Sequence, residues 1–347
     1  MAEIFPRIGD CIDDICVLRS LRHDSPIHAP AEYLATTGTQ IGDRPCIGAW
    51  VHYGLGSESQ NLPGFIVLRA GGAGRPVAWS SGFLPARHQG TVVETTGIPH
   101  AVMPRGVRAE DREAQLDLLD GLNRKHAEGT GSTAGELEAR IRSYELAFRM
   151  QTAAPETFDL SRETQAVKTL YGIGDPEAGE FGAMCLIARR LVERGVRFIQ
   201  LRSGGWDAHG ALVANHTPQA RKTDRPIAAL LTDLKSRGLL DQTLVVWGGE
   251  FGRTPTAENR AASPGRNHSP SGYCMWLAGG GVQGGKIIGA TDPVGYAAVE
   301  RPIHPNDLHA TILHALGVNQ HRLVYRHHNR NELATVNGGQ VIAEAFA

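Results

Sequence analysis

The sequence predicts an α/β fold with a doubly wound, mostly parallel sheet flanked by helices. Two successive helix-and-strand units predict it: the amphipathic stretch 181–194 precedes the apolar run 196–201, and the stretch 224–237 precedes the run 244–247. A glycine-rich polar loop follows each run. Helices that alternate with short apolar strands are typical of parallel sheets, whose ligands bind where the strands end.

Composition narrows the class of function. The 347 residues have a net charge of -1 and no basic stripe or acidic tail, so neither nucleic acid nor a membrane surface is expected as a partner. Five scattered cysteines do not form a disulfide framework, whereas fifteen histidines favour metal or proton chemistry. The first residues lack the basic and apolar pattern of a signal peptide, which predicts a cytoplasmic protein for the sequence as written.

Elements of the first seventy residues follow from apolar runs between polar loops. A buried strand is expected at 14–19 and a strand at 64–68. Between them, a helix should run from His28 to its glycine cap at Gly38, and a second helix should occupy 45–53.

The middle of the chain changes character twice. Glycine and proline without periodicity indicate a loop-rich excursion at 70–107, and helical spacing of Leu, Ala and charged residues predicts a helical insertion at 109–153. Both are assigned to a single domain, 1–347. The later predicted elements are a strand at 273–277, a hairpin within 286–300 and a helix at 304–317.

The run 244–247 ends at two glycines, which are followed by Glu250 and Arg253. Its short, uncharged, β-branched character predicts a strand covered on both faces in a parallel sheet. The glycines then allow a sharp turn that brings Glu250 and Arg253 to the carboxyl edge of the sheet. The alternative is a surface loop in which these two side chains pair with each other.

Four side chains on loops at that edge form a candidate metal set. Asp207 and His209 follow the strand at 196–201, and Glu250 and His268 lie in later glycine-bounded loops. Carboxylate oxygens and imidazole nitrogens suit a divalent ion. The alternative is an aspartate that orients a structural histidine. Arg253 and Arg266 are candidates for binding an oxyanion bidentately.

Several motifs resemble the bacterial domain of unknown function 1501 family (DUF1501) over nearly the whole chain. That family is similar in fold to the alkaline phosphatase and sulfatase superfamily. The motifs are Arg19-Ser20, His28, Thr37-Gly38, Gly48-Ala-Trp50, Tyr53-Gly-Leu-Gly-Ser-Glu-Ser-Gln-Asn-Leu-Pro63, Gly204-Gly-Trp-Asp-Ala-His209 and Gly248-Gly-Glu-Phe-Gly-Arg-Thr-Pro255.

The resemblance implies a role for each site residue. Asp207 and His209 resemble ligands of a first metal, His268 resembles its later histidine, and Glu250 resembles the acid of a second metal. His28 occupies the position of the sulfatase nucleophile, since its spacing to the following Thr-Gly pair is kept.

Three departures from the superfamily pattern bear on activity. Histidine replaces the serine, threonine or cysteine nucleophile at position 28, and Phe251 stands where a metal-binding histidine is expected. The glycine-rich first strand and loop, which usually follow an export signal, are missing from the sequence. We therefore expect an N-terminally incomplete domain, with a periplasmic or extracellular location if the N-terminus is truncated.

Two functional hypotheses follow. The first is a metal-dependent hydrolase of sulfate or phosphate esters, with a small-molecule or polysaccharide substrate and with zinc, or alternatively calcium or manganese, as cofactor. In it, His28 is a third nitrogen ligand or a covalent nucleophile, and Arg253 balances charge on the transferred group. The second is a catalytically inactive relative that binds sulfated or phosphorylated glycans. Neither hypothesis fixes the oligomeric state.

Overall fold

The computed structural model of the chain describes residues 2–70, 74–97, 155–258 and 262–346, with Met150 and some of the residues from 108 to 125. It combines helices with a three-stranded sheet, a four-stranded sheet and three two-stranded sheets. The predicted insertion 109–153 lies almost wholly outside the described residues. No helix in the described ranges is both long enough and apolar enough to cross a membrane.

Helices and strands have the following bounds. The helices are α1 (Pro6–Gly9), α2 (His28–Thr37), α3 (Ile47–Leu55), α4 (Gln165–Tyr171), α5 (Gly179–Val192), α6 (Leu212–Ser236) and α7 (Pro305–Ala315). The strands are β1 (Ile15–Leu21), β2 (Phe65–Ala70), β3 (Thr91–Val93), β4 (Phe198–Ser203), β5 (Val245–Trp247), β6 (Gly252–Ala257), β7 (Arg266–Ser269), β8 (Tyr273–Ala278), β9 (Lys286–Ile288), β10 (Ala290–Thr291), β11 (Ala298–Glu300), β12 (Val324–His327) and β13 (Arg330–Leu333).

The three-stranded sheet is parallel throughout, with the order β3-β2-β4. Its central strand β2 is almost entirely buried, because its side chains pack on both faces of the sheet. On one face, Ile66 and Leu68 join a core with residues of α5 and α6, such as Met184 and Leu231. On the other face, Phe65 packs with Trp50 of α3.

The four-stranded sheet has the order β5-β8-β1-β9 and mixed directions. β1 pairs antiparallel with β8 and parallel with β9, and β5 pairs antiparallel with β8. Thus the prediction of α/β architecture with a parallel sheet agrees with the structure at a coarse level. The parallel pairs are confined to β3-β2-β4 and to β1-β9, so a continuous, mostly parallel sheet is not what the described residues form.

Strand β5 differs from its prediction as a strand buried in a parallel sheet. It is three residues long and antiparallel to β8, and 36% of the Val246 surface is exposed. Apolar β-branched character predicts a strand but does not identify its partner, and this run pairs with a segment that comes later in the chain.

Other boundaries also differ from the sequence expectations. Residues 252–257 and 266–269, expected as loops, form the antiparallel pair β6-β7. Helix α6 begins at Leu212 rather than near 224, and it accommodates Pro218 and Pro226. Within the excursion 70–107, β3 adds a parallel edge to β2.

Strands β4 and β5 each have one open edge in the described part of the chain. β4 pairs with β2 and β5 pairs with β8, and neither has a described partner on its other side. All six residues of β4 are half-buried, unlike those of β2. The ring of Phe5 lies between the ends of the two strands, 6.1 Å from the Trp206 ring and 6.3 Å from the Trp247 ring, measured between centroids.

Candidate metal centre

Three chain segments meet at the candidate site. α2 brings His28 at its first residue, the loop after β4 brings Asp207 and His209, and the β6-β7 hairpin brings Arg253 and His268. In the hairpin, Arg253 and His268 are directly paired, so their side chains lie on the same face. The predicted convergence of Asp207, His209 and His268 therefore occurs in the structure.

The Asp207 carboxylate is the centre of the cluster. His28 Nε2 lies 3.1 Å from its Oδ2, while His209 Nε2 and His268 Nε2 lie 3.0 and 3.1 Å from its Oδ1. Arg253 Nη1 donates a hydrogen bond of 2.6 Å to the same Oδ1. The ligand atoms of His28, Asp207 and His268 all lie within 4.8 Å of one another, a spacing that could hold a metal ion.

The opposite nitrogen of each imidazole faces an oxygen that can only accept a hydrogen bond. These contacts are shorter than those of Nε2 with Asp207, so in a neutral ring we assign the proton to Nδ1 and the lone pair to Nε2. The pairs are His28 Nδ1 with Glu250 Oε1 (2.6 Å), His209 Nδ1 with Glu258 Oε2 (2.7 Å) and His268 Nδ1 with the Pro26 carbonyl (2.7 Å).

The Nε2 atoms of His209 and His268 lie 3.1 Å apart. Two N–H groups cannot face each other at that distance, so at least one of the two rings turns a lone pair inward. An inward lone pair beside the Asp207 carboxylate is unfavourable without a cation between them. The donor set therefore has the composition and orientation of a cation-binding site, with imidazole and carboxylate donors that suit zinc.

The loop that carries Asp207 and His209 is held by the segment before β7. Arg266 N donates to the Ala208 carbonyl, Ala211 N donates to the Ser263 carbonyl, both at 2.9 Å, and Gly210 forms a β-bridge with Pro264. A side chain at position 265 would collide with the His209 backbone. Glycine at 265 is therefore required for this close approach.

Charge partners shift the pKa of Asp207. Burial alone would raise it, but the neighbouring side chains of Arg253, His268 and His28 outweigh burial and hold the pKa of this carboxyl well below its usual range. The side chain is 43% exposed and is ionised near neutral pH.

The other sequence candidates take different positions. Glu250 contacts His28 from the side away from Asp207, and its main-chain carbonyl lies 2.5 Å from Nε2 of the buried His23. The alternative pairing of Arg253 with Glu250 is wrong, because the guanidinium binds Asp207. Arg266 Nη1 donates to the Gly265 carbonyl at 3.0 Å.

Three participants were not identified from the sequence. Glu258 and the Pro26 carbonyl each orient an imidazole, and the Phe251 ring packs beside two of them, with centroids 4.3 Å from His268 and 5.0 Å from His28. A lone glutamate in a polar run and a main-chain carbonyl leave no recognisable sequence signal. Phe251 was noted as a departure from a family pattern, without a structural role.

A protein-family model described as "Protein of unknown function (DUF1501)" matches residues 1–346. The chain belongs to the DUF1501 family. No curated protein matches this DUF1501 member. Two solved structures are similar to it at 12% sequence identity: a crystal structure of Ps i-CgsB, with a TM-score of 0.45, and one of Ps i-CgsB in complex with k-i-k-neocarrahexaose, with a TM-score of 0.44. The matches cover 99% and 91% of this chain and 70% and 67% of those chains, respectively.

Proposed function

We propose that this DUF1501 protein is a metal-dependent hydrolase of sulfate or phosphate esters and a divergent relative of the alkaline phosphatase and sulfatase superfamily. The observation that carries the proposal is the convergence of three Nε2 atoms on the Asp207 carboxylate, with each Nδ1 bound to an oxygen. Histidines that ligate metals are usually oriented in this way.

The distances also fit a metal. Zinc bonds to nitrogen and oxygen of about 2.1 Å in a tetrahedron place neighbouring ligand atoms roughly 3.4 Å apart. The three Nε2–carboxylate separations and the separation between the Nε2 atoms of His209 and His268 are 3.0 to 3.1 Å, slightly shorter, so a small outward movement of these side chains would admit an ion.

The chain's own groups would bind and orient an anionic ester. Arg253 presents a guanidinium beside Asp207, and such a group pairs with sulfate or phosphate oxygens. Asp207, His28 and His209 are each 34 to 43% exposed, so a substrate on a small molecule or a polysaccharide can reach them. A divalent ion held there would supply Lewis-acid polarisation of the ester and lower the pKa of a water that it binds.

One observation favours the second hypothesis, a non-catalytic protein that binds sulfated or phosphorylated glycans. The described side chains in contact with Asp207 are three imidazoles and a guanidinium, and none carries a hydroxyl or thiol that could act as nucleophile. Attack would then require water or His28.

Metal analysis and turnover together test the proposal. We expect purified protein to contain zinc, calcium or manganese by plasma mass spectrometry, His268→Ala to lose most of it, and the exposed control His321→Ala to retain it. Hydrolysis of 4-nitrophenyl sulfate or phosphate by the metal-loaded protein would support the hydrolase. Binding of a sulfated glycan without turnover would favour the second hypothesis, and a protein that binds no divalent ion would contradict the metal-dependent hydrolase.

A further inference from the structure

The space beside His28 and His268 is filled by an aromatic ring. The centroid of Phe251 lies 4.3 Å from that of His268 and 5.0 Å from that of His28, and these two imidazoles lie 4.4 Å from each other. In two-metal sites the ions lie about 3.5–4 Å apart. On this side of the cluster, a second ion at that distance would meet ring carbons instead of ligands.

The remaining acids of the cluster already have partners. Glu250 accepts from His28 Nδ1 at 2.6 Å, and Glu258 accepts from His209 Nδ1 at 2.7 Å. A second ion would have to take one of these carboxylates, and the imidazole behind it would then lose the contact that fixes its orientation.

A fixed cation stands beside the shared carboxylate. Arg253 Nη1 lies 2.6 Å from Asp207 Oδ1, and the guanidinium carbon lies 5.6 Å from the centroid of the Phe251 ring. A bridging carboxylate in a two-metal site needs both oxygens free for ions, whereas one oxygen here is already bound by a guanidinium, which repels a further cation.

Charge balance leads to the same conclusion. With neutral imidazoles, the three carboxylates of Asp207, Glu250 and Glu258 against the one guanidinium of Arg253 leave two negative charges uncompensated. A single divalent ion neutralises the cluster, and two such ions would overcharge it.

We propose that this centre accepts one divalent ion and that Arg253 supplies the second positive charge, in the place that another ion takes in two-metal sites. This inference rests on the proposed metal centre and goes against the family resemblance, which implies that Glu250 is the acid of a second metal. Phe251 and Arg253 together restrict the centre to one ion.

Titration of the metal-free chain with Zn²⁺, followed by calorimetry and checked by plasma mass spectrometry, measures the number of ions directly. We expect one Zn²⁺ per chain. Two per chain in the wild-type protein would overturn this inference and leave the metal centre standing, whereas none would overturn the metal centre and this inference with it.

Two substitutions with matched controls test the assigned groups. Arg253→Met should bind Zn²⁺ about tenfold more tightly, because a repelling cation is removed. The exposed control Arg322→Met should bind as the wild-type protein does, and weaker binding by Arg253→Met would overturn the role of the guanidinium.

Phe251→Asp, with folding verified by circular dichroism, should bind a second Zn²⁺, whereas Phe251→Leu should bind one. One ion in the folded Phe251→Asp protein would overturn the role of the ring.

Discussion

Two clusters of charged side chains differ in how completely they are paired. The first lies where α5, the end of α6 and the segment before α4 meet, and its central Arg189 side chain is 3% exposed. Nitrogens of this guanidinium lie 2.7 to 3.0 Å from carboxylate oxygens of Glu163, Glu193 and Asp233. Arg237 also pairs with Glu193 and Asp233.

Counting Arg190, which pairs with Glu163, the buried cluster has three guanidiniums and three carboxylates. The half-exposed cluster around Asp207 has three carboxylates and one guanidinium, and its imidazoles turn their Nε2 atoms towards Asp207. The first cluster is electrically balanced, whereas the second, with neutral imidazoles, carries two uncompensated negative charges, which the proposed divalent cation would balance. Charge balance is therefore the difference by which we expect a structural cluster to be distinguished from a ligand-binding one.

Removal of the central cation from the buried cluster should have the largest effect on stability. Arg189→Met leaves three acids without their main partner, and breaking a buried ion pair costs about 3–5 kcal/mol of unfolding free energy. Urea unfolding measures the loss, with the exposed Arg330→Met as control. A loss below about 1 kcal/mol would mean that the three acids become hydrated or protonated in the variant. The buried cluster would then not differ from the Asp207 cluster in its importance for stability.

The equivalent substitution at the other cluster should affect ligand binding instead of the fold. We expect Asp207→Asn to weaken Zn²⁺ binding by at least about 100-fold, because it removes a proposed ligand. Loss of a residue that only hydrogen-bonds to a ligand usually costs less. Because this carboxylate is half-exposed, the unfolding free energy of the metal-free protein should change by less than about 1 kcal/mol. A large destabilisation without metal would make the Asp207 cluster structural.

Loss of an orienting acid should have an intermediate effect. Glu258→Ala removes the acceptor on His209 Nδ1, which should reduce Zn²⁺ affinity about 10- to 100-fold. Isothermal titration of the variant beside the remote Glu300→Ala provides the comparison. Equal affinities would show that His209 is not held through Glu258.

The smallest of the four expected effects is the loss of stability in acid that the buried His309 causes. Burial lowers the pKa of His309 to about 4, and its Nε2 donates to the Ala35 carbonyl in α2. The unfolded chain binds the proton more readily, so this stabilisation is complete above about pH 6.5 and is lost as the pH falls towards 4.

Between pH 7 and 5.5 the His309 contribution amounts to about 1 kcal/mol of unfolding free energy. Urea midpoints at both pH values should differ less in His309→Gln than in the wild-type protein, and the exposed His321→Gln should behave as wild type. An unchanged pH dependence in His309→Gln would assign the acid sensitivity to other groups.

Local signals predicted much of the framework. Short apolar runs located β1, β2, β4 and β8 to within a few residues, and Gly38 with its left-handed φ of 77° ends α2 as expected. Asp207, His209 and His268 were grouped because each follows or lies near a strand end.

Long-range pairing could not be predicted from those signals. β5 is a good strand by composition, but its antiparallel partner β8 is set by packing. Pro255 lies in a polar run, which favoured a loop for this segment. In the structure it is part of β6, which pairs with β7 alone, and proline is tolerated in such an edge strand. Glu250 contacts His28 Nδ1 although the two residues are 222 positions apart in the sequence. Local sequence spacing cannot predict such a contact.

The open edge of β4 has a practical consequence for the site. β4 ends at Ser203, four residues before Asp207, and within the described chain its backbone is bonded to β2 alone. An unpaired strand edge is a template on which another chain can add. Self-association through β4 would therefore act on the strand that precedes the central carboxylate. We expect samples stored at higher protein concentration to aggregate sooner, as seen by light scattering, and to lose Zn²⁺-binding capacity as they do.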